Sequence, residues 1–364
     1  MAYTLTGLGT ALPPFSLSSE QMAVFTTPLC CETPAQAETL QTLFANSGVR
    51  RKHSALLEGD SVGNDIRQSF YPVGSGGRGP STAQRMQAYE KLAPPLALEA
   101  SQRALQYAQR PPADVTHLVT VSCTGFTAPG IDMSLISGLD LKPTTERIHV
   151  GYMGCHGAIN GLRVARGLLA ADPEAVVLVS AVELCTLHFY SGWDPEKIVA
   201  NALFADGAAS AVLQNSEHAP AHSAGWKLAA VGSVRIPDSA AAMSWRVGDF
   251  GFEMGLSRRI PELIRRHLRP WMEGWLEKQG LRIDQIQSWA VHPGGPKILE
   301  ATELALQLPE AALATSRGIL AECGNMSSPT VLFILDRLRR QGGRQPCVML
   351  GFGPGMVAEA ALFV

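Results

Sequence analysis

The segment from Val150 to Glu183, VGYMGCHGAINGLRVARGLLAADPEAVVLVSAVE, is the feature that most constrains the fold of this chain. A cysteine lies between glycines, an amphipathic stretch follows it at once, and the wholly apolar run AVVLVSAV comes next. Ile159, Leu162 and Ala165 share one face of a helix, whereas a short, uninterrupted apolar run is typical of a strand buried on both faces. The pattern predicts helices packed on both sides of a sheet.

The rest of the first half continues this alternation. We predict strands over residues 1–12, 117–123 and 175–182, and helices over residues 82–108, over residues 131–139 and directly after Cys155. The stretch NALFADGAASAVLQN predicts a further helix and strand. We interpret residues 25–80 as irregular, and the Gly- and Ser-rich stretch PVGSGGRGPST as a flexible loop.

The second half repeats the plan. QSWAVHPG predicts a buried strand, PKILEATELAL and GNMSSPTVLFILDRLRR predict helices, and PCVMLGFGPG and MVAEAALFV predict strands. Cys123 and Cys155 are 32 positions apart, and His292 and Asn325 are 33 apart. Nearly equal spacing favours an internal duplication, although a chance echo between α/β segments is the alternative. The alternation predicts an α/β fold of mainly parallel sheets covered by helices.

Composition excludes several classes of protein. The chain has 364 residues, of which 46% are hydrophobic and 17% charged, and this is typical of a compact domain with a sizeable core. A net charge of −2 gives no general attraction to nucleic acid, and no apolar run is long enough to span a membrane. We see no signal-peptide pattern. Seven cysteines without a CxxC pair therefore predict reduced thiols in the cytoplasm and no metal site.

Cys155 is a candidate nucleophile. It directly precedes a predicted helix, whose free N–H groups and positive dipole end stabilise a thiolate, so we expect a lowered pKa. Gly154 and Gly157 permit a tight turn and leave room around the sulfur. The alternative is that Cys155 is a small buried hydrophobic residue.

A nucleophilic thiol needs a partner base and hydrogen-bond donors. His292 ends a predicted buried strand, which is where sites form in parallel sheets. Asn325 opens a predicted helix at the matching place in the second half. If the halves pack about a pseudo-dyad, we expect both to converge on Cys155. A satisfied core histidine and a helix N-cap are the alternatives for these two residues.

Four motifs carry a resemblance: GYMGCHGAINGLRVA, VHPGGPKIL, GNMSSPTVLFILD and GFGPG. In this order and spacing the chain resembles the type III polyketide synthases, the chalcone-synthase-like branch of the thiolase superfamily. SCTGFTAPGID and VELCTLHF resemble the bacterial members more than the plant enzymes. The resemblance implies a thiolase-like α/β fold of two duplicated halves in αβαβα layers. Residues 1–225 would carry Cys155, and residues 226–364 would carry His292 and Asn325.

The resemblance also implies the activity. Members are homodimeric acyltransferases that use coenzyme A thioesters directly, without a carrier protein, a metal or a redox cofactor. Cys155 would be acylated by a starter, while His292 and Asn325 would bind malonyl-CoA and stabilise the enolate that decarboxylation leaves. The extended chain would then close to a pyrone, resorcinol or phloroglucinol.

Further site residues follow from the same resemblance. Phe204 resembles the gatekeeper phenylalanine of the family, and the second gate falls on Met254, with Phe252 two residues before it. The other expected cavity residues are Cys123, Cys185, His188, Ser327, Gly351 and Gly353. Beside them, Glu183 is expected to be a buried hydrogen-bonding residue. Ordinary core packing is the alternative for the gate and for the residues around Cys123.

Basic residues are expected at the mouth of the tunnel. Arg50, Arg51 and Lys52 resemble the segment that meets the phosphates of coenzyme A, and Lys297 follows the HPGGP motif where the family contacts pantetheine. A solvated charge run is the alternative. Ala128 replaces a methionine that in plant members reaches into the partner's cavity, so the partner's contribution stays open.

Two other functions remain possible at this stage. One is a ketoacyl synthase III-like enzyme that uses an acyl carrier protein, and the other is a non-catalytic coenzyme A binder with a thiolase-like fold. For the starter we predict a medium or long fatty acyl chain, because Cys123 and Cys185 are soft and weakly polar. A bulky His188 instead favours a small starter or malonyl-CoA alone.

Overall fold

A computed structural model describes residues 3–60, 65–73, 79–219 and 226–364. The strands are β1 (Tyr3–Ala11), β2 (Ser16–Ser18), β3 (Arg51–His53), β4 (His117–Ser122), β5 (Glu146–Gly151), β6 (Val176–Leu184), β7 (Asp206–Asn215), β8 (Lys227–Arg235), β9 (Met243–Gly248), β10 (Gly251–Leu256), β11 (Ser288–Val291), β12 (Cys347–Gly353) and β13 (Val357–Phe363). The helices are α1 (Ser19–Cys30), α2 (Pro34–Ala45), α3 (Thr82–Ala108), α4 (Ile131–Leu139), α5 (Gly157–Ala171), α6 (Pro195–Leu203), α7 (Ile260–Glu277), α8 (Pro296–Leu306), α9 (Ala314–Cys323) and α10 (Thr330–Arg340).

Nine strands form one sheet in the order β11-β12-β13-β8-β1-β7-β6-β4-β5. The pairs β4–β5, β4–β6 and β11–β12 are parallel. The pairs between β6 and β12 are antiparallel. The prediction of mainly parallel pairing is therefore correct only at the two ends of the sheet. It is wrong at the centre of the sheet. The first and last strands of each half are neighbours there, and they run in opposite directions.

The order of the strands confirms the internal duplication. Outward from the centre, the first half places β1, β7, β6 and β4, and the second half places β8, β13, β12 and β11. Cys123 directly follows β4, and His292 directly follows β11. The cysteine helix α5 precedes β6, just as α10 precedes β12. The two halves therefore bring their equivalent loops to the same region of the molecule.

The side chains of each strand alternate between two helical layers, one on each face of the sheet. In β6, Val177 and Val179 pack into the central core with α5, whereas Val176 and Leu178 pack with α3 on the opposite face. In β12, Met349 faces the central core, and its neighbours on either side pack against α7 and α8. Because α5 and α10 each contact strands of both halves, the layers follow the expected αβαβα order.

The interpretation of residues 25–80 as irregular is wrong for its first part. Helix α1 continues to Cys30 and α2 covers Pro34–Ala45, and both begin with a capping box. Ser18 and Gln21 form the first box, while Thr33 and Gln36 form the second, with Pro34 at the first helical turn. These are recognisable sequence signals. Part of PVGSGGRGPST lies outside the described residues.

Three other points concern the organisation of the chain. Strands β8 to β10 and helix α7 were not predicted, although β9 and β10 supply one wall of the site. The proposed division between residues 225 and 226 falls beside residues 220–225, which are outside the described residues, so it stays a prediction. Among the described residues, no helix is both long enough and apolar enough to cross a membrane.

Candidate active site

Cys155 lies in a tight turn between β5 and α5. Residues 154–156 form one turn of 3-10 helix, and α5 begins at Gly157. Gly154 has a φ of 73°, and a Cβ on Gly157 would lie 2.9 Å from a methyl group of Val121. Both glycines are thus required by the turn and by its close approach to β4. The sulfur is held at the helix N-terminus, as the sequence predicts.

His292 lies at the end of β11 and is almost completely buried. Its backbone N–H donates to the carbonyl of Leu350 in β12 at 2.8 Å. Neither ring nitrogen has a hydrogen-bond partner among the described residues. Burial lowers the pKa of His292 to about 3, so its imidazole is neutral. It is therefore a buried polar group whose hydrogen bonds are left for a ligand or a reacting group.

Asn325 is not the N-cap of a helix, so that alternative is wrong. Helix α10 begins five residues later, after Pro329. The backbone of Asn325 pairs instead with α6's end: its N–H donates to Leu203 at 2.8 Å, and its carbonyl accepts from Ala205 at 2.9 Å. The side-chain Oδ1 accepts from the Ser327 N–H at 2.8 Å. This contact orients the amide so that its NH₂ group is left to donate.

Cys155 is brought together with the second half of the chain. The side chains of Ser327 and Asn325 lie near enough to its thiol to lower its pKa, because both can donate to the thiolate. Burial is the larger effect and raises the pKa of Cys155 to about 11. The predicted low thiol pKa is therefore wrong for the free enzyme, because desolvation outweighs the helix terminus. The resting groups are a thiol and a neutral imidazole.

His156 links Cys155 to His292 and explains two glycines of the GFGPG motif. It is buried, its Nδ1 contacts Asn160 Oδ1 at 2.7 Å, and it lies close enough to His292 to lower that residue's pKa. A Cβ on Gly353 would lie 2.5 Å from Nε2 of His156, and one on Gly351 would lie 3.2 Å from its Cβ. In this structure both glycines make room for His156. Substrate contact stays a prediction for them.

Glu183 is the buried hydrogen-bonding residue that the sequence predicts. Its carboxylate accepts from Cys123 N at 2.9 Å, from Thr124 Oγ1 at 2.7 Å and from Ser328 Oγ at 2.7 Å. Burial raises the pKa of Glu183 even so. Because Ser328 adjoins Ser327, this network fixes the loop that carries Asn325 to the loop after β4. Glu183 therefore holds these two loops of the site in position.

The thiol faces a chamber of about 20 Å³. Five of the predicted substrate-binding residues line it beside Cys155, namely Cys123, Cys185, Phe204, Met254 and Ser327. Cys123 Sγ lies 3.4 Å from Ser327 Oγ. Burial raises the pKa of both Cys123 and Cys185 well above the usual value for a thiol, so both are neutral walls of the chamber.

A cavity of about 350 Å³ adjoins this chamber. Phe204, Met254, Trp245 and Cys185 line both spaces, so they form the wall between them. Phe252 lines only the larger cavity. Among the two residues expected for the second gate, Met254 is thus the one that lies at the boundary. Met254 places a flexible side chain at this boundary, which is easier to displace than an aromatic ring.

His188 is part of the wall and has no free polar atom. Its Nε2 donates to the Thr124 carbonyl at 2.6 Å, and its Nδ1 accepts from the Phe252 N–H at 2.9 Å. Burial lowers its pKa to about 3. The ring stacks on Phe252 with centroids 4.2 Å apart. His188 therefore restricts the cavity by its size and offers substrate only its apolar surfaces.

Trp245 is a site residue that the sequence analysis missed. Its ring packs edge-on against His188 at 5.3 Å, and its Nε1 donates to the Cys123 carbonyl at 2.7 Å. It belongs to the β9–β10 hairpin, which was not predicted. The aromatic and branched residues of MSWRVGDFGFEMGL, with a central Gly, are a recognisable hairpin signal.

The structure separates the expected basic residues into two groups. Arg50, Arg51 and Lys297 are exposed. Their segments adjoin, because a Cβ on Gly48 would lie 2.8 Å from Cγ of Pro296. Lys52 is only 8% exposed, and its ammonium donates to a backbone carbonyl inside the protein. The expectation that Lys52 meets a phosphate at the surface is therefore wrong, since β3 turns alternate side chains to opposite faces.

Over residues 3–60, 65–73, 79–219 and 226–364, no group of three or more His, Cys, Asp or Glu side chains is arranged to bind a metal ion.

The fold and the buried cysteine, histidine and asparagine define the class of this protein as a thiolase-like condensing enzyme. Residues 2–217 match the family model for the N-terminal domain of chalcone and stilbene synthases, and residues 228–364 match that for the C-terminal domain. The chain belongs to this family and is a type III polyketide synthase, an acyltransferase.

Individual relatives agree with this assignment. The chain is 34% identical to 1,3,6,8-tetrahydroxynaphthalene synthase of Streptomyces peucetius subsp. caesius, over 97% of this chain and 90% of that protein. It is 30% identical to the alpha-pyrone synthesis polyketide synthase-like Pks18 of Mycobacterium tuberculosis, over 91% and 83%. The crystal structure of PKS-I from the brown alga Ectocarpus siliculosus superposes with a TM-score of 0.92 at 27% identity, over 100% and 98% of the two chains.

Proposed function

We propose that this synthase loads an acyl group from coenzyme A onto Cys155 and extends it with malonyl-CoA. The observation that carries the proposal is the approach of the Asn325 amide to the Cys155 thiol, which lines a buried chamber. A neutral and unpartnered His292 lies close to His156, the residue after Cys155. A dry site strengthens each hydrogen bond to a developing negative charge.

Acylation requires a base because the thiol is protonated at rest. The neutral His292 imidazole accepts the thiol proton as sulfur attacks the thioester carbonyl of the starter. Coenzyme A leaves and takes up that proton, so His292 returns to its neutral form. Its lowered pKa favours this return. No metal or redox cofactor enters the proposed sequence.

Extension uses the same groups as donors. The carbon–carbon bond to the malonyl carboxylate breaks, carbon dioxide leaves, and the electron pair forms an enolate. The enolate oxygen accepts hydrogen bonds from His292 N–H and the Asn325 amide. The enolate carbon then attacks the acyl-Cys155 carbonyl, a carbon–carbon bond forms, and the Cys155 thiolate is released for the next transfer.

Coenzyme A is proposed to bind outside this site. Arg50, Arg51 and Lys297 are exposed on adjoining segments, and cations so placed attract its phosphates. Such substrates, together with the reduced thiols, suit an enzyme of the cytoplasm.

We also propose that the enzyme is a homodimer through the edge strand β5. This strand pairs on one side with β4, and it ends the sheet among the described strands. Large exposed apolar side chains lie on this strand, directly after it and on α4, which contacts it through Asp132 and Arg147. They are Ile148, Tyr152, Met153 and Met133. Exposed apolar residues beside a free edge favour pairing with a second copy. Ile148→Glu should give a monomer by light scattering, whereas the control Val24→Glu should not.

The starter remains a prediction. Cys123 and Cys185 suit the expected fatty acyl chain, but the larger cavity is also lined by Lys52, Asn201 and Glu253. Polar walls favour an oxygen-rich chain built from malonyl-CoA. A kinetic series from acetyl-CoA to palmitoyl-CoA separates the two, since only the fatty acyl hypothesis predicts a rise with length.

The decisive test of the function is product formation by the purified enzyme. We expect carbon dioxide release from malonyl-CoA, and condensed products by mass spectrometry when acyl-CoA starters are added. Asn325→Asp keeps the size of the side chain and removes the NH₂ donor, so it should slow decarboxylation by roughly 100-fold. If malonyl-CoA is left intact by the wild-type enzyme, the proposal fails.

A further inference from the structure

Lys52 is a buried cation that the proposed chemistry does not use. Its side chain is 8% exposed, and its ammonium donates to the backbone carbonyl of Asn201. An ammonium carries three N–H donors, and no salt bridge joins Lys52 to a carboxylate among the described residues. A buried charge without a close partner is costly, so it indicates a functional requirement.

The nearest acidic group does not complete the site. Burial lowers the pKa of Lys52 to about 8, whereas Asp206 favours the charged form electrostatically. The carboxylate of Asp206 is already occupied. It accepts from the Ala55 N–H at 2.8 Å, from the Thr186 N–H at 2.8 Å and from the Thr186 hydroxyl at 2.6 Å. Asp206 therefore supplies a fixed compensating charge for Lys52, with its hydrogen bonds made elsewhere.

Lys52 faces the space into which a growing chain would extend. It lines the cavity of about 350 Å³ and, with Thr186 and Phe189, an adjoining crevice of about 80 Å³. Cys185, which lines both this cavity and the chamber at Cys155, is near enough to affect the pKa of Lys52. A chain held on Cys155 that passes the Phe204 gate therefore enters the space beside Lys52.

The other lysine in this cavity is already paired. Lys197 Nζ lies 2.8 Å from the Glu253 carboxylate, and it lies over the ring of Tyr190 at 4.4 Å. Of the two lysines in the cavity wall, Lys52 is thus the one whose charge is free of a direct carboxylate contact.

We propose that Lys52 binds a carboxylate at the end of the acyl chain distal to the thioester, so that the enzyme selects starters and intermediates that carry an acid group there. The inference rests on the proposed loading of Cys155, and it adds the chemical class of the acyl group. The carboxylate supplies the missing ionic hydrogen bonds of Lys52. Its recognition places the distal end of the chain in the cavity and leaves the thioester end at the sulfur.

The test compares two matched series of substrates. Succinyl-, glutaryl- and adipyl-CoA carry a distal carboxylate, whereas butyryl-, pentanoyl- and hexanoyl-CoA have the same lengths without it. The rate at which each acylates Cys155 is measured by intact-protein mass spectrometry. In the wild type we expect at least one dicarboxylic member to react about tenfold faster than its partner. In Lys52→Met this ratio should fall to about one.

Control variants isolate the charge of Lys52. Lys52→Arg keeps the cation and should keep a preference above about threefold. Lys197→Met removes a cation from the same cavity and should leave the wild-type ratio unchanged. Melting temperatures establish that each variant is folded. If Lys52→Met does not fold, the wild-type ratio and Lys52→Arg still decide the question.

The outcomes separate the two proposals. If malonyl-CoA is left intact and neither series acylates Cys155 in the wild type, the proposed function fails. If malonyl-CoA is decarboxylated but neither series acylates Cys155, the assignment of Lys52 is overturned while the function stands. If both series react but no dicarboxylic member is preferred, or if Lys52→Met slows both series equally, the assignment of Lys52 is overturned while the function stands.

Discussion

Trp245→Ala should enlarge the chamber at Cys155 and extend the range of starters. The chamber holds about 20 Å³, which is room for about one water molecule. Removing an indole from a packed wall opens on the order of 100 Å³. Each methylene buried there gains about 0.8 kcal/mol, which is roughly fourfold in kcat/KM. The profile from acetyl- to octanoyl-CoA should therefore rise about fourfold per added methylene relative to the wild type.

The same change has a cost in stability. A cavity of this size costs about 2 kcal/mol, and loss of the Nε1 bond to Cys123 adds about 1 kcal/mol. Denaturant unfolding should thus show a loss of about 3 kcal/mol. Trp245→Phe is the matched control, because it removes the hydrogen bond and keeps most of the ring. The reasoning is refuted if Trp245→Ala and the wild type have parallel chain-length profiles.

Three further predictions follow from the site. Cys155→Ala should abolish condensed products but keep malonyl-CoA decarboxylation, and parallel loss of both would contradict the separate roles of thiol and donors. Because burial raises the pKa of Cys155 to about 11, its alkylation by iodoacetamide should rise about tenfold per pH unit between pH 7 and 9; a plateau near pH 7 would show an ion pair instead. Gly353→Ala should lower the free energy of unfolding by about 1–3 kcal/mol, because its new methyl group would clash with His156. Adding His156→Ala should recover most of this loss. If the double variant is no more stable than Gly353→Ala, the clash is not the cause.

Much of the fold could be predicted from local patterns. The apolar run of β6 predicts a strand, and the spacing of the apolar residues in α5 predicts a helix, because burial on one or two faces sets the periodicity of each element. The pairing at the centre of the sheet could not be predicted, since β1 meets β8 through residues such as Tyr3 and Leu228, far apart in the sequence. Such pairing depends on the whole topology.

The residues of the site could be predicted from the sequence more readily than their ionisation states and their burial. Cys155, His292 and Asn325 were found from loops at strand ends and helix starts. The pKa of Cys155 was not, because desolvation depends on the finished packing around it. Likewise, nothing local to RRK shows that Lys52 turns inward while its two neighbours stay exposed. Trp245 was missed because it acts through a hairpin that only the tertiary structure brings to the thiol.

The position of β1 at the centre of the sheet has a consequence for biosynthesis. Among the strands of this sheet β1 is synthesised first, but its register partners Asn215 and Leu228 are made more than two hundred residues later. Contacts between residues so far apart in the sequence form slowly, and the apolar strand β1 stays exposed until they form. The nascent chain should therefore depend on chaperones until β8 emerges. His292 and Asn325 are synthesised later still. A chain whose synthesis stops before them would therefore carry the nucleophile Cys155 without the two groups that are proposed to stabilise the enolate.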